Sequence, residues 1–130
     1  MTINNLDPND PPLFRIKSTD WWVKVLEMLQ HNWALIEAKD KGVTVYFFHD
    51  LGTTVGSMGP YKLSQLRNRC AIIDSLDFES NEAAIEALDV NGFNRLADYP
   101  GPWDGSQPHG NFYDARDHQS GIYSKEGYWI

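Results

Sequence analysis

Cysteine is almost absent from this 130-residue chain: Cys70 stands alone, which excludes an intramolecular disulfide. A cysteine-poor chain is typical of a reducing compartment. Residues 1–12 contain neither a basic start nor an apolar run, so they do not resemble a signal peptide. Apolar runs of the roughly 20 residues that a membrane-spanning helix needs are also lacking. Together these absences predict a soluble cytoplasmic protein.

Basic residues are scarce in one block of the chain. Residues 71–98 contain one base, Arg95, against seven acids, which gives a net charge of −6 out of −7 for the whole sequence. The acids of this block are Asp74, Asp77, Glu79, Glu82, Glu86, Asp89 and Asp98. A field of this sign repels nucleic acid and attracts basic proteins. It therefore argues against direct binding to DNA or RNA, which requires a basic surface.

Aliphatic side chains are rare in residues 99–130, which contain two Ile and no Leu, Val or Met. The same stretch contains seven aromatic residues, five Gly and three Pro. Because aromatic rings bury large areas, we predict a loop-rich wrap that closes the sheet. A few of its rings would remain exposed beside the acidic block.

The rest of the composition is ordinary for a globular protein, with 42% hydrophobic and 22% charged residues. A chain of this length can bury a real core in one domain. Residues 1–12 are polar and punctuated by proline, which predicts a flexible N-terminal arm. Residues 13–130 are predicted to form a single α+β domain, and we find no internal repeat within them.

Two helices are predicted from spacing and capping residues. The first covers residues 20–32 and is based on apolar residues at helical spacing: Trp22, Val25, Leu26, Leu29 and Trp33. The second covers residues 81–90, with Ser80 as its N-cap and Asn91 and Gly92 as its stop. Its predicted buried stripe is Ala84, Ile85 and Leu88, and its predicted acidic stripe is Glu82, Glu86 and Asp89.

Strand signals surround a short turn at Gly42. Residues 33–39 and 43–50 flank this turn and predict a β-hairpin. Its second strand places Val43, Val45 and Phe47 on one face and Thr44, Tyr46 and Phe48 on the other, which indicates that both faces are at least partly covered. Residues 69–78 predict a third strand. The expected fold is therefore α+β, a mostly antiparallel sheet of three or more strands with two helices and the aromatic C-terminal segment.

A metal- or His-dependent hydrolase or nuclease is one alternative function. Its candidate catalytic residues are His49, His109, Asp114 and His118, since imidazoles and a carboxylate serve in metal binding and proton transfer. Their spacing matches no standard metal motif, and packing or surface roles are commoner for such histidines. Cys70 with His49 would suggest a nucleophile, but a lone cysteine in an apolar run more often packs as a small hydrophobe.

A carbohydrate or small-ligand module is the second alternative. Trp103, Tyr113, Tyr128 and Trp129 could stack on a sugar ring. The glycine-rich segment with Gly52, Gly56 and Gly59 matches neither a dinucleotide fingerprint nor a Walker A loop. This segment favours a flexible connection over a phosphate cradle backed by Arg67 and Arg69.

The leading hypothesis is a non-enzymatic, acidic, protein-binding inhibitor that uses no cofactor and no metal. It would neutralise a basic, nucleic-acid-handling protein by electrostatic mimicry of nucleic acid. Such a protein would be an immunity protein to a nuclease toxin, or a phage-type inhibitor of a defence nuclease complex such as an anti-CRISPR. Its predicted partner-binding residues are Asp74, Asp77, Glu79, Glu82, Glu86, Asp89, Trp103, Tyr113, Tyr128 and Trp129.

Overall fold

A five-stranded antiparallel sheet organises the protein. The computed structural model describes residues 14–27, 30–51, 69–98, 107–108 and 111–116. Its strands are β1 (Asp20–Glu27), β2 (Gln30–Ala38), β3 (Val43–His49), β4 (Arg69–Ile72), β5 (Asp74–Phe78), β6 (Asn94–Arg95) and β7 (Asn111–Asp114). One helix, α1 (Asn81–Val90), and a 3₁₀ turn (Leu96–Asp98) complete the described part. The large sheet has the order β5-β3-β2-β1-β6, and β4 and β7 form a separate parallel pair.

The predicted hairpin is confirmed as β2 and β3. Ala38 pairs with Val43 at the turn, and the ladder continues to Asn32 and His49. Gly42 has a φ of +77°, which is a conformation that glycine adopts without strain. All side chains from residue 43 to residue 48 are buried, as expected for a strand that is covered on both faces.

The prediction of a first helix over residues 20–32 is wrong. This stretch forms β1 and the beginning of β2, which pair antiparallel from Asp20 opposite Ile36 to Glu27 opposite Gln30. Trp22 and Trp33, which a helix would place on one side, lie in different cores on opposite faces of the sheet. Trp and Val suit a strand that is buried on both faces, and long-range pairing outweighs an apolar spacing that also fits a helix.

The second predicted helix is confirmed as α1. Ser80 adopts an extended conformation and its hydroxyl oxygen accepts a hydrogen bond from the Ala83 N–H at 3.1 Å. Ala84 and Leu88 are buried on the inner side of the helix. The described residues therefore contain one helix and a 3₁₀ turn rather than two helices, and the domain is mostly sheet.

The third predicted strand divides into two strands at Ile73. Residues 69–72 form β4 beside β7, whereas Asp74–Phe78 form β5 at the edge of the large sheet. The Ile73 N–H donates to the Phe47 carbonyl oxygen at 2.9 Å, where the chain enters the large sheet. The chain thus passes from one sheet to the other within one residue, and the spacing of apolar residues in the sequence does not predict this change.

Each face of the large sheet buries its own core. On one face α1 covers a cluster that contains Trp22, Phe47 and Phe93. On the opposite face the β4–β7 pair and residues 14–16 cover a second cluster, which contains Trp33, Phe48 and Ile72. The sheet is therefore the middle layer of three.

The aromatic C-terminal segment contributes β7 to the second layer. The Phe112 ring lies 5.2 Å from the Phe48 ring and 6.2 Å from the Trp21 ring. The rest of residues 99–130 and the predicted arm at residues 1–12 lie almost entirely outside the described residues. Within the described part, no helix combines the length and the apolar character needed to cross a membrane.

Candidate functional site

Helix α1 presents a row of three carboxylates on its outer side. Glu82, Glu86 and Asp89 are all exposed, and their spacing places them on one side of the helix. At a rise of 1.5 Å per residue, the row is about 10 Å long. The inner side of the helix is anchored in the core by Ala84 and Leu88. We refer to Glu82, Glu86 and Asp89 as the acidic face.

The chain just before α1 contributes two further exposed acids, one of which, Asp77, lies on the opposite face of the sheet. Asp77 in β5 and Glu79 in the connection to the helix are exposed. The carboxylate of Asp77 accepts a hydrogen bond from the Thr44 hydroxyl at 2.6 Å, which fixes its orientation. Asp74, in contrast, is only 4% exposed, and its Oδ1 accepts from the Ser75 N–H at 2.8 Å. Asp74 is therefore an interior residue, not part of the predicted partner-binding surface.

The one base of residues 71–98 does not neutralise the acidic face. Arg95 lies in β6, where its Nε is 3.3 Å from the Asp20 carboxylate and its guanidinium stacks 4.9 Å from the Trp22 ring centroid. Lys24 lies beside the C-terminal end of α1, with its Nζ 5.9 Å from the Phe93 ring centroid. The acidic face is thus bounded by a cation at one end.

Of the four aromatic residues predicted to contact a partner, the structure describes only Tyr113. Tyr113 is 4% exposed and belongs to the interior beside Ala115, so in this fold it cannot reach a partner. Burial raises the pKa of its hydroxyl, and the nearby Cys70 adds to the shift. Trp103, Tyr128 and Trp129 lie outside the described residues.

The alternative catalytic residues do not come together where the structure describes them. Asp114 is held by Arg116, with contacts of 2.6 Å and 2.8 Å. The Arg116 guanidinium lies 6.0 Å from the Tyr46 ring centroid. His49 is three residues after Tyr46 in β3, so its side chain points to the opposite face of the sheet from Tyr46 and the Asp114–Arg116 pair. His109 and His118 lie outside the described residues, as do Gly52, Gly56, Gly59 and Arg67.

Cys70 is buried in the core opposite α1, together with Phe48. His49 follows Phe48 in β3, and adjacent side chains of a strand point to opposite faces. His49 therefore faces away from the cysteine, and the two do not form a nucleophile–base pair. Among the described residues, no group of three or more His, Cys, Asp and Glu side chains could hold a metal ion.

A polar cluster that the sequence does not reveal lies where β2 begins and β3 ends. Asp50 accepts three hydrogen bonds: from the His31 backbone N–H at 3.1 Å, from His31 Nδ1 at 2.9 Å and from Trp33 Nε1 at 2.9 Å. The side chains of His31 and Asp50 are 11% and 18% exposed. Because a carboxylate oxygen only accepts, His31 Nδ1 is the donor in this contact. This cluster ties two neighbouring strands together.

His49 gives the protein a testable pH dependence. Burial lowers the pKa of His49 below its ordinary value of 6.5, and the nearby Asp50 only partly offsets this effect. Below about pH 6.5 the histidine of the unfolded chain binds a proton that buried His49 of the folded chain does not bind. The free energy of unfolding therefore falls as the pH drops. His49→Gln should remove this slope, which is at most about 1.4 kcal/mol per pH unit. Urea unfolding of both proteins between about pH 5 and pH 7 measures it; equal slopes would contradict the assignment.

A shallow groove of about 470 Å³ lies at the opposite end of β2, beside the N-terminus of α1. Its carboxylates are already engaged. Glu37 accepts from the Lys17 N–H at 2.7 Å and from Lys39 Nζ at 2.9 Å. Asp20 faces Arg95. The Lys39 ammonium and the Lys17 N–H lower the pKa of the Glu37 carboxyl against the opposing effect of burial.

Comparison of the chain with protein-family models, with curated proteins and with solved structures found no significant match.

Proposed function

We propose that this protein is a non-enzymatic inhibitor that binds a basic, nucleic-acid-handling protein through the acidic face. The observation that carries the proposal is the simultaneous exposure of Glu82, Glu86 and Asp89 on a helix that the core holds in place. Carboxylates on a rigid element keep their spacing, as phosphates along a nucleic acid do. A partner that binds phosphates with Lys and Arg is complementary to such a row.

The charge distribution supports the same partner class. Glu79 adds an exposed acid in the connection to α1, and Asp77 adds one on the opposite face of β5, whereas Arg95 is engaged by Asp20 near the other edge of the sheet. A surface of one sign steers an oppositely charged partner and raises its rate of association. A nuclease toxin or a defence nuclease complex has the required basic surface, which makes an immunity protein or an anti-CRISPR-type inhibitor the function that we propose. We place its action in the cytoplasm, where such nucleases meet their substrates.

Neutralising the acidic face should slow partner binding. The partner is first captured from host lysate by the immobilised protein at low ionic strength and identified by mass spectrometry. For the variant with Glu82→Gln, Glu86→Gln and Asp89→Asn, we expect an association rate about tenfold lower at low salt. The difference should shrink as salt rises and the Debye length falls to about 3 Å near 1 M.

A matched control separates the acidic face from net charge. Asp40 and Asp98 are exposed at the β2–β3 turn and in the 3₁₀ turn. Replacing both with Asn changes the net charge without touching α1. For each charge removed, this control should lower the association rate less than the acidic-face variant does. Equal losses per charge, or a rate that ignores salt, would show that the acidic face is not the binding surface.

A further inference from the structure

The outer edge of β5, the strand that leads into α1, is a second candidate binding surface. Strand β5 is the terminal strand of the large sheet and pairs with β3. No other described strand pairs with its outer edge. A terminal strand of this kind offers backbone N–H and C=O groups to an added strand.

The beginning of β5 is occupied, which limits the available stretch. The Arg116 guanidinium donates to the Ser75 hydroxyl oxygen at 2.8 Å, and the Ala115 N–H donates to the Ile72 carbonyl oxygen at 3.0 Å. Chain that follows β7 therefore covers the entry to the strand. The stretch around Leu76 and Asp77 lies beyond these contacts, and Asp77 is exposed.

The two faces of this stretch differ in chemistry. Leu76 is partly buried against the core under α1. Asp77 points to the opposite face, where its carboxylate is oriented by Thr44. Directly opposed residues of paired strands have Cβ atoms about 5 Å apart. An added strand would therefore place a basic residue against Asp77 and an apolar residue against Leu76.

Charge decides which strand fits. Asp77 is the exposed acid of β5, since Asp74 is buried; the strand contains no base, and the exposed Glu79 follows it. A second copy of the same edge would bring acid toward acid, which opposes pairing. A segment that alternates Lys or Arg with apolar residues is complementary to both faces.

We infer that the β5 edge around Leu76 and Asp77 binds an extended basic segment of the partner as an added strand. The inference rests on the proposed function and supplies its binding mode: the acidic face attracts the partner, and the β5 edge fixes its register. Backbone hydrogen bonds would provide affinity that does not depend on salt, unlike the contacts of α1.

The probe is a synthetic seven-residue peptide that alternates Val and Lys, with acetylated and amidated ends. Binding to the intact protein is followed by NMR, with amide hydrogen exchange across β5 and α1. We expect slowed exchange at every second amide of β5. N-methylation of alternate peptide amides keeps the charge but removes the strand donors, and it should weaken binding at least tenfold. Asp77→Asn retains an oxygen acceptor for Thr44 and should weaken binding severalfold.

The outcomes separate the two ideas. If the N-methylated peptide binds as well as its parent, or if only α1 amides respond, strand addition is overturned and the proposed function stands on the acidic face. Strand addition is also overturned if the peptide does not bind to the protein, although neutralising the acidic face weakens binding of the captured basic protein. If neither the peptide nor a basic protein binds, both proposals fall.

Discussion

Gly42→Ala should destabilise the fold by about 3 kcal/mol or more. At the Gly42 φ of +77°, alanine pays the cost of the left-handed conformation, roughly 1–2 kcal/mol. The added Cβ would also collide with the Phe78 carbonyl oxygen and lie 3.2 Å from the Glu79 backbone. These backbone atoms end β5 and cannot move without disturbing the sheet edge, so the steric cost adds to the conformational one.

Gly92→Ala is the matched control. Gly92 has a similar φ of +87°, but its Cβ would meet only the flexible Lys24 side chain, with Cε at 3.6 Å. We expect a loss of about 1 kcal/mol from the backbone conformation alone. Urea unfolding of the three proteins measures both values. If the two alanine variants lose the same free energy, the close approach of the β2–β3 turn to β5 is not as described.

Asp50→Ala should cost roughly 3 kcal/mol. The substitution removes the acceptor of three hydrogen bonds at once, from the His31 N–H, His31 Nδ1 and Trp33 Nε1. Donors that lose a partner in a half-buried site lose the bond and are not fully rehydrated. The ends of β2 and β3 would separate, which should appear as lost amide protection near His31 before global unfolding.

Asp50→Asn tests the same cluster with a smaller change. The amide keeps one oxygen, which can still accept from His31 Nδ1 and Trp33 Nε1, but its NH₂ group cannot accept from the His31 N–H. We expect roughly 1 kcal/mol of destabilisation, clearly below that of the alanine variant. Similar losses for both variants would mean that the three hydrogen bonds do not stabilise the strand ends.

The parts of the fold that local chemistry controls were predictable. Residues 43–48 are β-branched or aromatic and follow a glycine turn, and β3 occupies that stretch. Ser80, four residues before the inner-side residue Ala84, caps a helix whose bounds match the prediction. In both places the signal lies within a few residues, so no distant contact is needed to interpret it.

In the candidate site, too, the features that depend on local sequence were predictable and those that depend on distant contacts were not. Exposure of Glu82, Glu86 and Asp89 follows from the helical period, because the opposite side of the helix is apolar. The burial of Asp74 does not follow from any local pattern in the sequence. It depends on the change from the β4 layer to the edge of the large sheet. His31 was hidden for a different reason: it lies in the stretch predicted as a helix, and Asp50 is 19 residues away.

By itself the sequence determined the hairpin, the capped helix and the concentration of negative charge in residues 71–98. Only the tertiary structure decided that Trp22 and Trp33 serve opposite cores, that β5 ends the large sheet and that Asp50 joins His31 to Trp33. The physical reason is the range of the interactions involved. Turns, caps and helical faces depend on neighbours in the chain, whereas strand pairing depends on partners that only the folded sheet brings together.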